Sequence, residues 1–447
     1  MEYKKSNENK SKLIDIHFNR SKLDNNDLHP IQNTISIDKF YMIHMSPIIA
    51  NCIMNNINIE ENIELLSRFT QQKSFGLNDC FINIAFLNRL AEIIDIKYDD
   101  TTILIHLIII LHNFWYHADA NMELLYNERL MNSFVRLLDH ENDIVTSYVI
   151  DASHLLMGKN IKFVDFLIKN RLLDAIYRIM MHSKDNINNC AKPIAILYYL
   201  YQYLGENNQI LDIFVPIYIK FICSKYTELR KISTNCLLCA MKTENGFQNV
   251  IKIPDALTIL KNAQYLELIG QVNSLYECYC ILFSHNIYDI IDNDFFVEIQ
   301  KTMKKYGDIN DKKSLFITIK LLMPNYWMII NQTDIIKKLL KLTKKGSMTE
   351  KVFSLNCLIE YALYANINEL IDFGINLDGF KEFVYFLDAD IPSMIKQLLI
   401  SINNFMKISP KFVEIGNELN IIEYLNNIEN DDKEIYDLVQ SILQFYK

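Results

Sequence analysis

The stretch LMNSFVRLLDHENDIVTSYVIDASHLLMGKN, Leu130 to Asn160, decides how this chain folds. Apolar residues recur at i, i+3, i+4 and i+7 as far as Leu138, a polar turn follows around Glu141 and Asn142, and a longer periodic run ends near Gly158. That spacing predicts two helices, each with one apolar stripe.

The same phrase returns as LLDAIYRIMMHSKDNINNCAKPIAILYYLYQYLGEN at Leu172 to Asn207, and again as IYIKFICSKYTELRKISTNCLLCAMKTEN at Ile217 to Asn245. The closing GKN, GEN and TEN signals lie roughly 40 residues apart, close to the period of about 40–47 for armadillo or HEAT units. Such units bury their apolar faces only by stacking on one another, so the period predicts a solenoid with a continuous core. Dividing the chain after Phe40 by that period gives roughly 9–10 units.

Composition agrees. Half of the 447 residues are hydrophobic, yet Gly numbers only 10 and Pro only 8, too few for strand-rich folds and flexible linkers. The formal charge of −9 disfavours nucleic acid as a direct partner and suits basic peptides. Nine cysteines sit mostly inside apolar helical patterns, as buried thiols of a reducing compartment do. The N-terminal MEYKKSNENKSK has no apolar core, and the most apolar run, Ile103 to Leu111, is far short of a bilayer span. That run reads as a fully buried helix in a chain without membrane insertion. The Asn excess reads as genome composition.

The C-terminal NIIEYLNNIENDDKEIYDLVQSILQFYK, Asn420 to Lys447, reads as two short helices joined by an acidic, Asn-containing loop. It resembles the closing repeat of the importin-α family, roughly G-L-x-x-I-x-x-L-Q-x-H-E-N-E-x-I-Y-x-L-A-x-x-I-I-x-x-Y-F. Ile422, Leu425, Glu429, Asn430, Ile435, Tyr436, Leu438, Ile442 and Tyr446 fall in register. Ile48 to Asp95 looks like the opening repeat of that family, Leu104 to Asn160 matches its second and third repeats in length and phasing, and Tyr361 to Ile408 is similar to its penultimate units. The resemblance implies an all-α, right-handed armadillo-repeat superhelical solenoid over residues 40–447. It also implies a nuclear import adaptor, not an enzyme, needing no cofactor and shuttling between cytoplasm and nucleus.

In that family a Trp followed four residues later by Asn recurs on the third helix of many repeats, and at that spacing both side chains emerge on one helix face. The Asn amide binds the main chain of an extended cargo peptide, while Trp rings hold the stems of Lys and Arg. Here the second repeat places Ile109 and Asn113 at those positions, the third Ile150 and His154, and the fourth Leu197 and Tyr201. Later units place Asn235 and Cys239, then Tyr276 and Cys280. The resemblance thus assigns peptide binding to Asn113, Ile109, His154 and Tyr201. Where the family has an acid just after a Gly of its third repeat, Lys159 follows Gly158. Trp115 lies two residues after Asn113, about 200° around a helix, and so points elsewhere.

The family also carries a basic tail that binds importin-β. Residues 1–39 offer Lys4, Lys5, Lys10, Lys12 and Arg20 as a degenerate version, or stand as an ordinary solvated tail. The implied partners are cargo proteins with basic localisation signals, importin-β at the tail, and an export receptor at the C-terminal repeat. The rival reading is an armadillo-repeat interaction scaffold that has lost classical signal binding.

Cys236, Cys239, Cys278 and Cys280 have a spacing that four-thiolate zinc would accept, yet buried packing explains them without metal. His106, His112 and His117 lack a metal-site context, and the lysines of Lys304 to Lys313 read as solvated turns.

Overall fold

A computed structural model describes residues 39–72, 75–77, 79–118, 125–182, 187–266, 271–305, 312–389, 392–428 and 432–447, with the backbone alone at 39, 187–189, 206–207, 388–389 and 392–393. The basic tail residues Lys4, Lys5, Lys10, Lys12 and Arg20 lie outside the described residues, as do Glu429, Asn430 and most of the Lys304–Lys313 turn. The chain divides into two compact units, Met1–Tyr203 and Leu204–Lys447. Among the described residues every regular element is helical.

The first unit holds α1 (Lys39–Met54), α2 (Ile59–Thr70), α3 (Ile84–Ile96), α4 (Thr101–His117), α5 (Glu128–Arg136), α6 (Asp143–Lys159), α7 (Lys162–Lys169), α8 (Leu172–His182) and α9 (Ile187–Leu204). The second begins with a 3-10 segment, Gly205–Phe214, and continues through α10 (Val215–Phe221), α11 (Thr227–Met241), α12 (Glu244–Lys252), α13 (Ala256–Ala263), α14 (Val272–Ser284), α15 (Asn293–Lys305), α16 (Lys313–Asn331), α17 (Ile335–Lys345) and α18 (Met348–Tyr364). It closes with α19 (Ile367–Ile371), α20 (Gly379–Tyr385), α21 (Pro392–Ile408), α22 (Pro410–Glu418), α23 (Ile421–Asn426) and α24 (Lys433–Leu443).

The last helix of each repeat forms a ladder. In the first unit α4 packs between α2 and α6; in the second, α11, α14, α16, α18, α21 and α24 pack each on the next. Together with α9 these helices start at intervals of about 35 to 45 residues, which is the repeat period seen in the sequence. The two-helix reading of Leu130 to Asn160 holds: α5 ends in a 3-10 turn, Leu137–Asp139, and α6 follows.

Asparagine does more here than reflect composition. Asn83, Asn127, Asn142 and Asn366 accept a backbone N–H at helix N-termini, Asn127 from Leu130 at 2.9 Å and Asn142 from Ile144 at 2.9 Å. Asn56, Asn58, Asn286 and Asn420 take the left-handed backbone that glycine would otherwise supply, with φ between 41° and 59°. Asn is among the residues that best tolerate that conformation, so a glycine-poor chain still turns between helices.

Successive repeats are also pinned through the turns. Arg178 of α8 donates to the Leu138 carbonyl at 2.9 Å, the His140 carbonyl at 3.1 Å and the Thr146 hydroxyl at 2.9 Å, holding the α5–α6 turn of the preceding repeat. The cores beneath are aromatic. Trp115 is buried with its ring edge-on to Phe134 at 5.0 Å, so it serves the core, as its angular offset from Asn113 predicts. In the second unit Phe405 lies 5.0–6.1 Å from the rings of Phe373, Phe380, Phe383 and Phe412. Gly374 is required there, since a Cβ would stand 2.5 Å from the Phe412 ring.

The apolar run Ile103 to Leu111 is not fully buried. Leu104, Leu107, Ile108 and Leu111 are enclosed, but Ile105, His106 and Ile109 keep partial access because α4 contacts neighbours on only part of its circumference. No helix of the described residues is long and apolar enough to cross a membrane.

Candidate functional site

A ladder helix buries three sides and leaves one stripe accessible, so its possible binding residues are those spaced by three and four along that stripe. In α4 the stripe includes Ile105, Ile109, His112, Asn113 and Tyr116; in α6 it includes Tyr148, Asp151, His154, Leu155 and Gly158. In α9 it includes Lys192, Tyr198, Tyr199 and Gln202. Ile109 and Asn113 therefore stand where the sequence puts them, one turn apart on the accessible face, and His154 joins that face.

Tyr201 does not. It is 3% exposed, and its would-be partner Leu197 is fully buried, so both belong to the core of the fourth repeat. Ile150, paired with His154 in the sequence register, is likewise buried. Tyr276 is buried too, accepting a hydrogen bond from Gln264 at 3.0 Å, whereas Asn235, Cys239 and Cys280 are half-buried on the ladder faces of α11 and α14.

Asn113 is engaged inside the fold. Its amide nitrogen donates to the Thr70 hydroxyl of α2 at 3.2 Å, and its carbonyl oxygen lies 3.3 Å from His112 Nδ1. A side chain held this way spans two ladder helices, and an incoming peptide would have to compete for its donors.

Next to it is a titratable cluster drawn from three successive ladder helices: His112 on α4, Asp151 and His154 on α6, and Lys192 on α9. The Lys192 ammonium pairs with the Asp151 carboxylate. Burial pushes the Asp151 carboxyl up, but Lys192 and His112 outweigh it and the net displacement is down. Burial pushes His154 down to about 4, Lys192 adds to this, and Asp151 opposes it. At neutral pH the carboxylate is ionised and the His154 ring is neutral.

The cation position after Gly158 is filled by the protein itself. Lys159 donates to the Tyr116 carbonyl at the C-terminal end of α4, at 3.2 Å, with its ammonium 5.8 Å from the centre of the Tyr116 ring. A cation at a helix C-terminus is favoured by the aligned backbone dipoles. One repeat on, Tyr199 Oη donates to the Met157 carbonyl of α6 at 3.3 Å, the same kind of cap with a neutral donor.

In the second unit polar ties join successive helices of the ladder. Ser274 donates to Asn235 at 2.6 Å and Lys242 pairs with Glu277 at 2.9 Å, both between α11 and α14. Cys280 meets Thr318 at 3.3 Å, Lys320 pairs with Glu360 at 3.8 Å, and Lys396 of α21 pairs with Glu434 of α24. Burial pushes the Cys280 thiol up to about 11 and raises Cys236 and Cys278 further, which suits thiols packed as neutral groups. Among the described residues no group of three or more His, Cys, Asp or Glu is arranged to hold a metal.

One pair escaped the sequence reading. Trp327 and Asn331 lie four residues apart on α16, the spacing the resemblance calls for, and WMIIN is legible in the chain. Trp327 is half-buried and Asn331 exposed. The Asn331 amide donates to Glu369 at 3.1 Å and accepts from Tyr361 Oη at 2.9 Å.

No protein-family model matches this sequence, and no curated protein matches it. Solved structures match the fold. An engineered protein determined by a structural-genomics consortium is similar over 86% of this chain and 98% of its own, with a TM-score of 0.57 and 13% identity. A chain from the structural work on a conserved phosphorylation switch controlling the interaction between cadherin and β-catenin is similar over 87% of this chain and 78% of its own, with a TM-score of 0.62 and 12% identity. The latter is an armadillo protein. At these identities the likeness is one of fold, and that fold is an all-α, armadillo-like solenoid.

Proposed function

We propose that the ladder face of each unit can hold an extended segment of a partner protein, making the chain an armadillo-type interaction scaffold that acts without catalysis or cofactor. The observation that supports this most is the pairing of the ladder carboxylates with lysines of the chain itself: Asp151 with Lys192, Glu277 with Lys242, Glu360 with Lys320, and Glu434 with Lys396. Carboxylates already neutralised attract a lysine-rich signal weakly, since each new pair must displace an existing one. The face keeps amides, hydroxyls and aromatic rings, which suit an extended main chain more than a run of cationic side chains.

A second reading keeps the nuclear import adaptor, taking basic cargo to importin-β and being recycled by an export receptor between nucleus and cytoplasm. Trp327 and Asn331 favour it, because they supply one Trp–Asn rung on the ladder face. Selection of peptides from a random library on the full chain separates the two. The scaffold reading expects selected peptides without Lys or Arg runs, whose binding falls about tenfold or more on Trp327→Ala or Asn113→Ala. Enrichment of basic runs supports the adaptor. Selected peptides insensitive to every ladder-face substitution would sink both readings.

A further inference from the structure

Stacked ladder helices end differently in the two units. In the first, α6 ends in Lys159, whose ammonium caps the Tyr116 carbonyl at the end of α4. In the second, α18 stacks on α16 in the same way but ends in Tyr364, an exposed aromatic residue. Large apolar side chains gather there: Met328 on α16, 60% exposed, Leu363 and Tyr364 on α18, and Ile367 at the start of α19, 61% exposed. Asn331 joins the three elements, accepting from Tyr361 Oη of α18 and donating to Glu369 of α19. Single exposed apolar residues are ordinary, whereas a group of four on one edge marks a surface that meets something. Two carboxylates flank the group. Burial, and then the nearby Glu369 and Asp372, push the Tyr361 phenol above its ordinary value. Glu369 accepts from the Asn331 amide at 3.1 Å and Asp372 from the Asn376 amide at 2.7 Å. Among the described residues no lysine or arginine pairs with either, unlike Glu277, Glu360 and Glu434 of the ladder face.

We propose that this edge docks an amphipathic helix of a partner protein, its apolar face seated on Met328, Leu363, Tyr364 and Ile367 and a flanking Lys or Arg paired with Glu369 or Asp372. Charge selects the occupant. Carboxylates without a cation attract a basic segment and repel an anionic lipid surface or nucleic acid, and a second copy of this chain carries a net charge of −9. Geometry selects a helix. Packed helices lie about 8–10 Å apart, so apolar side chains on α16 and α18 are separated by nearly the distance, about 10 Å, between anchors at i and i+7 of a helix. The carbonyls at the ends of α16 and α18 add their dipoles to the attraction for a cation, as the α4 end does for Lys159. The edge lies past the lysine–carboxylate pairs of the ladder face, so the proposal is independent of what that face binds.

Fluorescence anisotropy on the full chain tests this with a labelled peptide of Leu and Lys at amphipathic helical spacing. Two controls replace every Lys with Glu, or every Leu with Ser. The Leu–Lys peptide is expected to bind at least tenfold more tightly than either control. Met328→Ser, Leu363→Ser and Ile367→Ser together, all on exposed side chains, should weaken it at least tenfold. Glu369→Gln with Asp372→Asn, a change that keeps a capping side chain at 369, should narrow the gap between the Leu–Lys and Leu–Glu peptides. Undiminished binding by the triple variant would place the peptide elsewhere and overturn the proposal. Equal binding of the Leu–Glu or Ser–Lys peptide, a gap unchanged in the double variant, or no saturable binding of the Leu–Lys peptide would overturn it as well.

Discussion

The ladder faces of the two units spend their charges differently. The first gathers His112, Asp151, His154 and Lys192 at one locus built from three successive helices, where burial and the charged neighbours hold the Asp151 carboxyl and the His154 ring below their ordinary values. The second spreads its pairs along the ladder, with Lys242–Glu277, Lys320–Glu360 and Lys396–Glu434 at separate steps. In a cluster, burial and neighbours fix the protonation states; in an isolated exposed pair such as Lys396–Glu434, solvent screens most of the attraction. A single architecture thus produces one pH-sensitive patch and one polar seam.

The largest test asks whether the seam or the aromatic core beneath it holds the second unit together. Phe405→Ala should cost about 3–5 kcal/mol, as deletion of a buried phenyl group does. Urea unfolding would measure the loss, and hydrogen exchange should quicken in α20 to α22 while α4 to α6 keep their protection, because repeat contacts are mostly between neighbours. A loss below about 1 kcal/mol would mean that the ring cluster packs loosely and that the polar seam matters more than this comparison allows.

Next comes the pH dependence of the cluster. His154 titrates near 4 in the folded chain and near 6.5 when unfolded, so between those values the unfolded state binds more protons. Stability therefore falls as pH drops from about 6.5 to 4, by about 2 kcal/mol after discounting for the partial access of the ring. Asp151, held low, adds its own loss only below the ordinary carboxylate range. His154→Gln should flatten the slope of the melting temperature between pH 6.5 and 4. An unchanged slope would remove His154 from the comparison.

The smallest effects concern the ion pairs. Lys192→Met should cost about 1 kcal/mol, because Asp151 is left in the cluster without its main cation. Lys396→Met should cost less than about 0.5 kcal/mol, since Glu434 is 67% accessible and water takes over its solvation. Equal costs in paired urea titrations would erase the distinction between cluster and seam.

Much of the fold was legible in the chain. The i, i+3, i+4, i+7 spacing and the return of one phrase every forty or so residues report local helix formation and stacking, and both survive in the structure. The closing stretch appears as α23 and α24, with Leu425, Ile435 and Ile442 buried as its pattern requires. The ladder register was legible only in part. Ile109 and Asn113 lie on the accessible face of α4, but carrying a four-residue pair into the fourth repeat lands on the buried Leu197 and Tyr201, where Tyr198, Tyr199 and Gln202 are the accessible residues. Each residue is 100° around a helix, so a slip of a single residue moves a side chain from groove to core. Trp327 and Asn331 carry the four-residue spacing openly in the sequence.

The sequence by itself determined the helices, their caps and the repeat period, because each depends on residues within a few turns of one another. Only the tertiary structure decided that Asn113 is tied to Thr70, that Lys159 caps the Tyr116 carbonyl, that Asp151 has Lys192 as its counter-ion and that Tyr201 is core. The partners in those three contacts lie 41 to 43 residues apart, one repeat away. Stacking brings them together, and no local pattern along the chain encodes which face meets which.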